Sequence, residues 1–145
     1  DKEEKSDKYI QALKDNILEP IEVLTKISEH KTASIEILEK IIRSHDKTKP
    51  SSIHEKLGLL TDKIITTNYN SLLEKALPEF EQISYSNQYK VAKLSQYDQY
   101  IFKIHGDIQE PHKCVLFPSE YDLLYDKEEK TSTFELKKII SKIKE

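Results

Sequence analysis

The sequence contains no methionine, and only two glycines, Gly58 and Gly106, in 145 residues. Without methionine the chain lacks an initiator of its own, so the expectation is an internal segment of something longer. Average usage of ~7% would supply about ten glycines. Their scarcity excludes a glycine-rich turn, which lets backbone N–H groups approach a pyrophosphate. Cys114 is the single cysteine, so an internal disulfide framework and a multi-cysteine zinc site are both excluded. A reducing, cytoplasmic setting is the corresponding expectation. Of the 23 basic residues only Arg43 is arginine, which leaves no bidentate guanidinium clamp for phosphate. The net charge is −3 with 34% charged residues, so no nucleic-acid or membrane partner is expected. No stretch approaches the ~18 apolar residues of a membrane span.

The chain opens on a charged tract, DKEEKSDK. Ile10, Leu13, Ile17, Ile21, Leu24 and Ile27 then recur at spacings of three and four, a helical apolar stripe. Pro20 interrupts it and predicts a kink or a meeting of two helices. Ile35, Leu38, Ile41 and Ile42 predict a second amphipathic helix, and HDKTKPSS (45–52) reads as a connecting loop. Residues 1–50 are therefore expected to form a helical layer and 51–145 an α/β core.

In the second part Ser52 and Glu55 form a capping-box pattern for a short helix that Gly58 could close. IITT (64–67), FEQISYS (80–86), YIFKI (100–104) and CVLF (114–117) read as strands. SLLEKAL (71–77) and SEYDLLY (119–125) read as helices, and Ser132 with Glu135 opens a last one. Strands alternating with helices predict a parallel, partial Rossmann-like sheet with flanking helices.

Two apolar strands end in polar residues. IITT runs into Asn68, Tyr69 and Asn70; YIFKI runs into His105, Gly106 and Asp107. Ligands of open α/β sheets bind beyond the carboxyl ends of the strands, so these residues stand where a ligand would be met. Each has a plainer reading as well. Asn70 is a good N-cap for the following helix and Asn68 could serve as one. A histidine before glycine is a common turn residue, and Gly106 suits a sharp turn or a ligand held close to backbone.

ITTNYNSLLEKAL resembles the Thr-Thr-Asn-Tyr-Asp-x-Leu-Leu-Glu segment of the sirtuin-like domains of bacterial NAD hydrolases. FKIHGDIQEPHKCVLFPSEY resembles their following Lys-x-His-Gly-(Asp/Ser)-Ile-x-x-Pro segment, its apolar stretch and its acidic-Tyr pair. Asn68 and His105 lie 37 positions apart, about as the family places them. The resemblance covers roughly residues 50–145, with the first fifty as a variable helical insert.

The resemblance implies that NAD is the substrate, lying across the sheet rim and split into nicotinamide and ADP-ribose, in a bacterial, anti-phage type of defence. By motif position, Asn68 would orient the nicotinamide-side ribose or the attacking water, and His105 would be the general base. Thr67, Asn68, Tyr69, Asn70, His105 and Gly106 would line the cofactor. A homo-oligomer, or fusion to effector or sensor domains, is compatible with that picture. Other readings of the same rim are a protein deacylase or ADP-ribosyltransferase, and a non-catalytic nucleotide-sensing or assembly module.

Three departures qualify the likeness. Asn70 stands where the family has aspartate, keeping the shape but losing the charge. No four-cysteine zinc module is present; His112 and Cys114 are too few ligands, and no metal site is expected. The remaining histidines, His30, His45 and His54, read as surface residues. The family's Gly-Ala-Gly turn and C-terminal strand are missing, so this chain alone is expected to bind NAD poorly and turn it over little.

Overall fold

The computed structural model describes residues 2–45, 47–125 and 141. The α-helices and strands among these residues are α1 (Lys2–Lys14), α2 (Pro20–Ile27), α3 (Lys31–His45), α4 (Ser52–Leu60), β1 (Lys63–Thr66), α5 (Leu72–Ala76), β2 (Glu81–Ser84), α6 (Gln88–Ala92), β3 (Tyr100–Lys103) and α7 (Pro118–Tyr125). The three strands form one parallel sheet in the order β1-β3-β2. The chain is α/β, with helices on both faces of the sheet.

β3 is central, and all four of its residues are buried. Side chains alternate across a strand, and β3 uses both faces. Tyr100 and Phe102 pack with Ile83, Val91, Leu94, Val115 and Leu124, the face covered by α6 and α7. Ile101 packs with Ile64, Leu73, Leu77 and Phe80, the face covered by α4 and α5. A strand buried on both sides reads as a continuous apolar run, as YIF does.

Pro20 separates two helices instead of kinking one. α1 stops at Lys14, and Asn16 adopts a left-handed conformation (φ 54°), which asparagine tolerates better than most residues. Pro20 then occupies the first turn of α2, where a missing N–H costs nothing. The Glu22 carboxylate accepts the Glu19 N–H at 2.8 Å. The expected stripe is not what this layer buries. Ile10, Ile17, Ile21 and Leu24 are exposed, and among the described residues of this layer Val23 and Ile35 are buried. α2 packs against α7, α3 against the turn at Pro111–Lys113, and Lys31 pairs with Glu120.

Three further local expectations are corrected. The cap of α4 is Ser51, not Ser52, and its partner is His54, whose Nδ1 lies 3.1 Å from the Ser51 N–H. His54 is thus half-buried in a cap, while His30 is exposed as expected. Gly58 does not end α4; it lies inside the helix, where a Cβ would fall 2.5 Å from Leu77 Cδ2. CVLF (114–117) is not a strand. It is a buried irregular segment under the sheet rim, fastened by the Val115 N–H to His105 O at 2.8 Å. The helix expected after Ser132 lies outside the described residues.

Candidate functional site

β1 and β3 run in register, with Thr66 opposite Lys103. Contact continues one step beyond the ladder, where the Ile104 N–H donates to Thr66 O at 3.1 Å. Asn68 and His105 each lie two residues past that pair. Both strands therefore end at the same carboxyl edge of the sheet, and each of the two residues follows its own strand end there. The 37-residue spacing in the sequence is therefore the register offset of two neighbouring strands.

After β1 the chain turns at once, with the Asn68 N–H donating to Thr66 Oγ1 at 3.1 Å. Thr67 and Asn68 are exposed on this turn. Tyr69 faces inward. Its hydroxyl donates to Val115 O at 2.6 Å and lies 3.4 Å from the Tyr121 hydroxyl. Burial, reinforced by Tyr121, holds that phenol above the usual tyrosine range, so it stays a neutral donor. Asn70 is half-buried, and its Oδ1 accepts the Leu72 N–H at 3.3 Å. It thus supports the start of α5, though Ser71 occupies the N-cap position itself.

After β3, Gly106 makes the turn with φ +97°. A Cβ there would stand 2.9 Å from Cys114 Cα and 3.2 Å from Lys113 O. What presses against this glycine is the 113–114 backbone. Cys114 is buried, and its thiol donates to Asp107 O at 3.2 Å. Burial, then the Asp107 carboxylate, pushes the thiol up to about 12. Among the described residues no group of three His, Cys, Asp or Glu side chains could hold a metal ion. No helix among them is long and apolar enough to cross a membrane.

His105 is 8% exposed. Its ring meets Tyr121 edge-on at 5.0 Å and Tyr125 edge-on at 5.8 Å, and Nε2 lies 2.6 Å from the Tyr125 hydroxyl. Burial lowers the imidazole below its ordinary value, so at neutral pH it is uncharged and able to take a proton. Tyr121 and Tyr125, one helical turn apart on α7, stack with centroids 6.3 Å apart. Glu120 anchors the start of α7 by accepting the N–H groups of Leu116 and Phe117 at 2.8 and 3.1 Å. Burial opposes its ionisation, but Lys31 and those two donors outweigh it and hold the carboxyl below its ordinary value.

Sequence reasoning missed a group below the rim. Lys103 is 2% exposed, and its Nζ lies 2.6 Å from Glu74 Oε1 and 2.8 Å from Asp107 Oδ2. It also donates to Asn70 O at 2.7 Å and Tyr69 O at 3.3 Å. Tyr125 was missed too. The available signals were a lysine on an otherwise apolar strand and a Tyr pair at i, i+4.

A neutral, buried imidazole just past a strand end, at the carboxyl edge of a parallel sheet, suits proton abstraction from a bound hydroxyl or water. Comparison with known proteins agrees with the motifs that built this edge. The SIR2-like domain family matches residues 62–142. The chain is also similar to the NAD(+) hydrolase ThsA of Bacillus cereus (strain MSX-D12), at 34% identity in a 90-residue alignment that covers 59% of this chain and 18% of that protein. The family match spans more than half of the chain and includes both strand ends, and the chain belongs to the SIR2-like domain family.

Proposed function

We propose that this chain carries the catalytic rim of an NAD-consuming enzyme that hydrolyses NAD to nicotinamide and ADP-ribose, as part of a bacterial, anti-phage type of defence. The observation that carries the reading is the in-register pairing of Thr66 with Lys103, which sets Asn68 and His105 at equal distances past adjacent strand ends. The name of the Bacillus relative supports the substrate and the reaction class.

In this reading the bond between nicotinamide nitrogen and ribose C1′ breaks as positive charge develops on the ribose. Water attacks C1′, and His105 accepts the proton released, from the water or through a ribose hydroxyl. A neutral imidazole is the form required, and burial supplies it. Asn68 orients the ribose or the water from the exposed side of the rim. Thr67, Asn70 and Gly106 border the same edge, and Tyr69 contributes through its backbone while its hydroxyl secures the 115 segment.

The test uses the full-length protein. NAD incubated with it should yield free ADP-ribose and nicotinamide, and His105→Ala should abolish that loss while leaving the circular dichroism spectrum unchanged. Acyl-ADP-ribose or a labelled protein as product would move the assignment to a deacylase or transferase. A second reading, binding without turnover, is favoured by Asn70, whose carboxamide is engaged in a turn and carries no charge. Tight NAD binding by an intact protein that never releases nicotinamide would establish it.

A further inference from the structure

A lysine at the end of a central strand, with Tyr100, Ile101 and Phe102 before it, is an expensive choice for stability alone. Ion pairs taken out of water roughly break even against apolar side chains of similar volume. Here the cost is visible: Oε2 of Glu74 is buried and has no hydrogen-bond partner among the described residues. A fully apolar β3 would pack at least as well.

What Lys103 provides is reach. Its ammonium contacts two backbone carbonyls of the β1–α5 loop, at Tyr69 and Asn70, a carboxylate of α5, and the Asp107 carboxylate of the turn after β3. These segments carry Asn68 on one side and His105 on the other. A further strut, the Ile108 N–H on Tyr69 O at 3.1 Å, joins the same two loops directly. The geometry points to Lys103, with Glu74 as its anchor, as a positioning residue that clasps the Asn68 loop to the His105 turn and sets the spacing the reaction needs. Lys103 touches no reacting atom; it acts through the loops. The proposal rests on the NAD-hydrolase reading for its catalytic consequence, but the clasp itself can be tested without turnover.

The experiment compares the full-length protein with Lys103→Met and with the double variant Glu74→Gln/Lys103→Met. The single variant leaves two carboxylates without their cation, a strongly destabilising change; the double variant removes the buried carboxylate charge together with the ammonium. The double variant is expected to melt within a few degrees of the parent. Its Ile108 amide should exchange with solvent about tenfold faster, while the Ile104 amide, bonded to Thr66 O just past the ladder, keeps its protection. NAD turnover should fall about 100-fold in kcat with little change in KM, since a misplacement near 1 Å costs that much. Retained Ile108 protection, or a kcat within about threefold of the parent, overturns the proposal. If the parent leaves NAD intact, the functional reading falls, and the exchange measurement still decides whether Lys103 holds the two loops.

Discussion

The Tyr125 hydroxyl lies 2.6 Å from Nε2 of His105, although Tyr125 itself is 43% exposed. A half-open side chain thus occupies one nitrogen of the buried imidazole. A substrate hydroxyl or water that uses this nitrogen has to displace the phenol first. A neutral hydrogen bond of this kind is worth about 1 kcal/mol net, or roughly a fivefold change in an equilibrium constant. Tyr125→Phe keeps the ring contacts and removes the competitor. It should lower KM for NAD about fivefold with the fold unchanged, as read from initial rates; a higher KM would make the phenol part of the substrate site instead.

The burial of His105 also makes a pH prediction. In the unfolded chain its imidazole titrates near ~6.5, whereas in the fold it titrates lower because burial disfavours the charged form. Between those values the unfolded state binds a proton that the folded state does not. Stability is therefore fully present above ~6.5, falls as pH drops towards the folded value, and levels off beneath it. Urea titrations of wild type and His105→Gln across this range should differ in slope, the variant lacking this contribution. Parallel curves would mean that His105 is more open to water than its surroundings indicate.

Asn70 offers a gain-of-function test. Its Oδ1 accepts the Leu72 N–H, a role an aspartate carboxylate fills equally well, so Asn70→Asp should fold normally. The added negative charge would sit close to the ribose that becomes cationic, and kcat for NAD hydrolysis should rise about tenfold or more. An unchanged kcat in a folded variant would place residue 70 too far from the reacting bond to matter.

The two glycines should respond differently to alanine. Gly106 combines φ +97° with backbone atoms of residues 113 and 114 in the space of a Cβ, so Gly106→Ala should cost about 2 kcal/mol or more. At Gly58 the obstacle is the tip of the Leu77 side chain, which can move, and alanine is the better helix former. Gly58→Ala should stay within about 1 kcal/mol of wild type in the same thermal melts.

These contrasts show which parts of the site a sequence can carry. The ends of β1 and β3 were legible because apolar runs stop abruptly at polar side chains, and the 37-residue spacing matches the register of the two strands. The segment 114–117 was misread because Cys114, Val115 and Phe117 are apolar for burial, not for pairing; a short apolar run does not distinguish a strand from a buried loop. Lys103 stood in the quoted motif but received no role, for the opposite reason. A lysine in a strand ordinarily marks a solvated face, and only the folded chain brings Glu74 and Asp107 to it. The stripe from Ile10 to Leu24 runs over α1 and α2, yet periodicity says nothing about which side of a helix is covered.

Cys114 turns the His105 turn into something an experimenter can watch. The single sulfur of the chain sits behind Gly106, bonded to Asp107 O and held in its unreactive thiol form. It is the thiolate that attacks an alkylating reagent, so modification must wait for this corner to swing open. The rate of labelling becomes a clock for that opening, built into the molecule without an added probe.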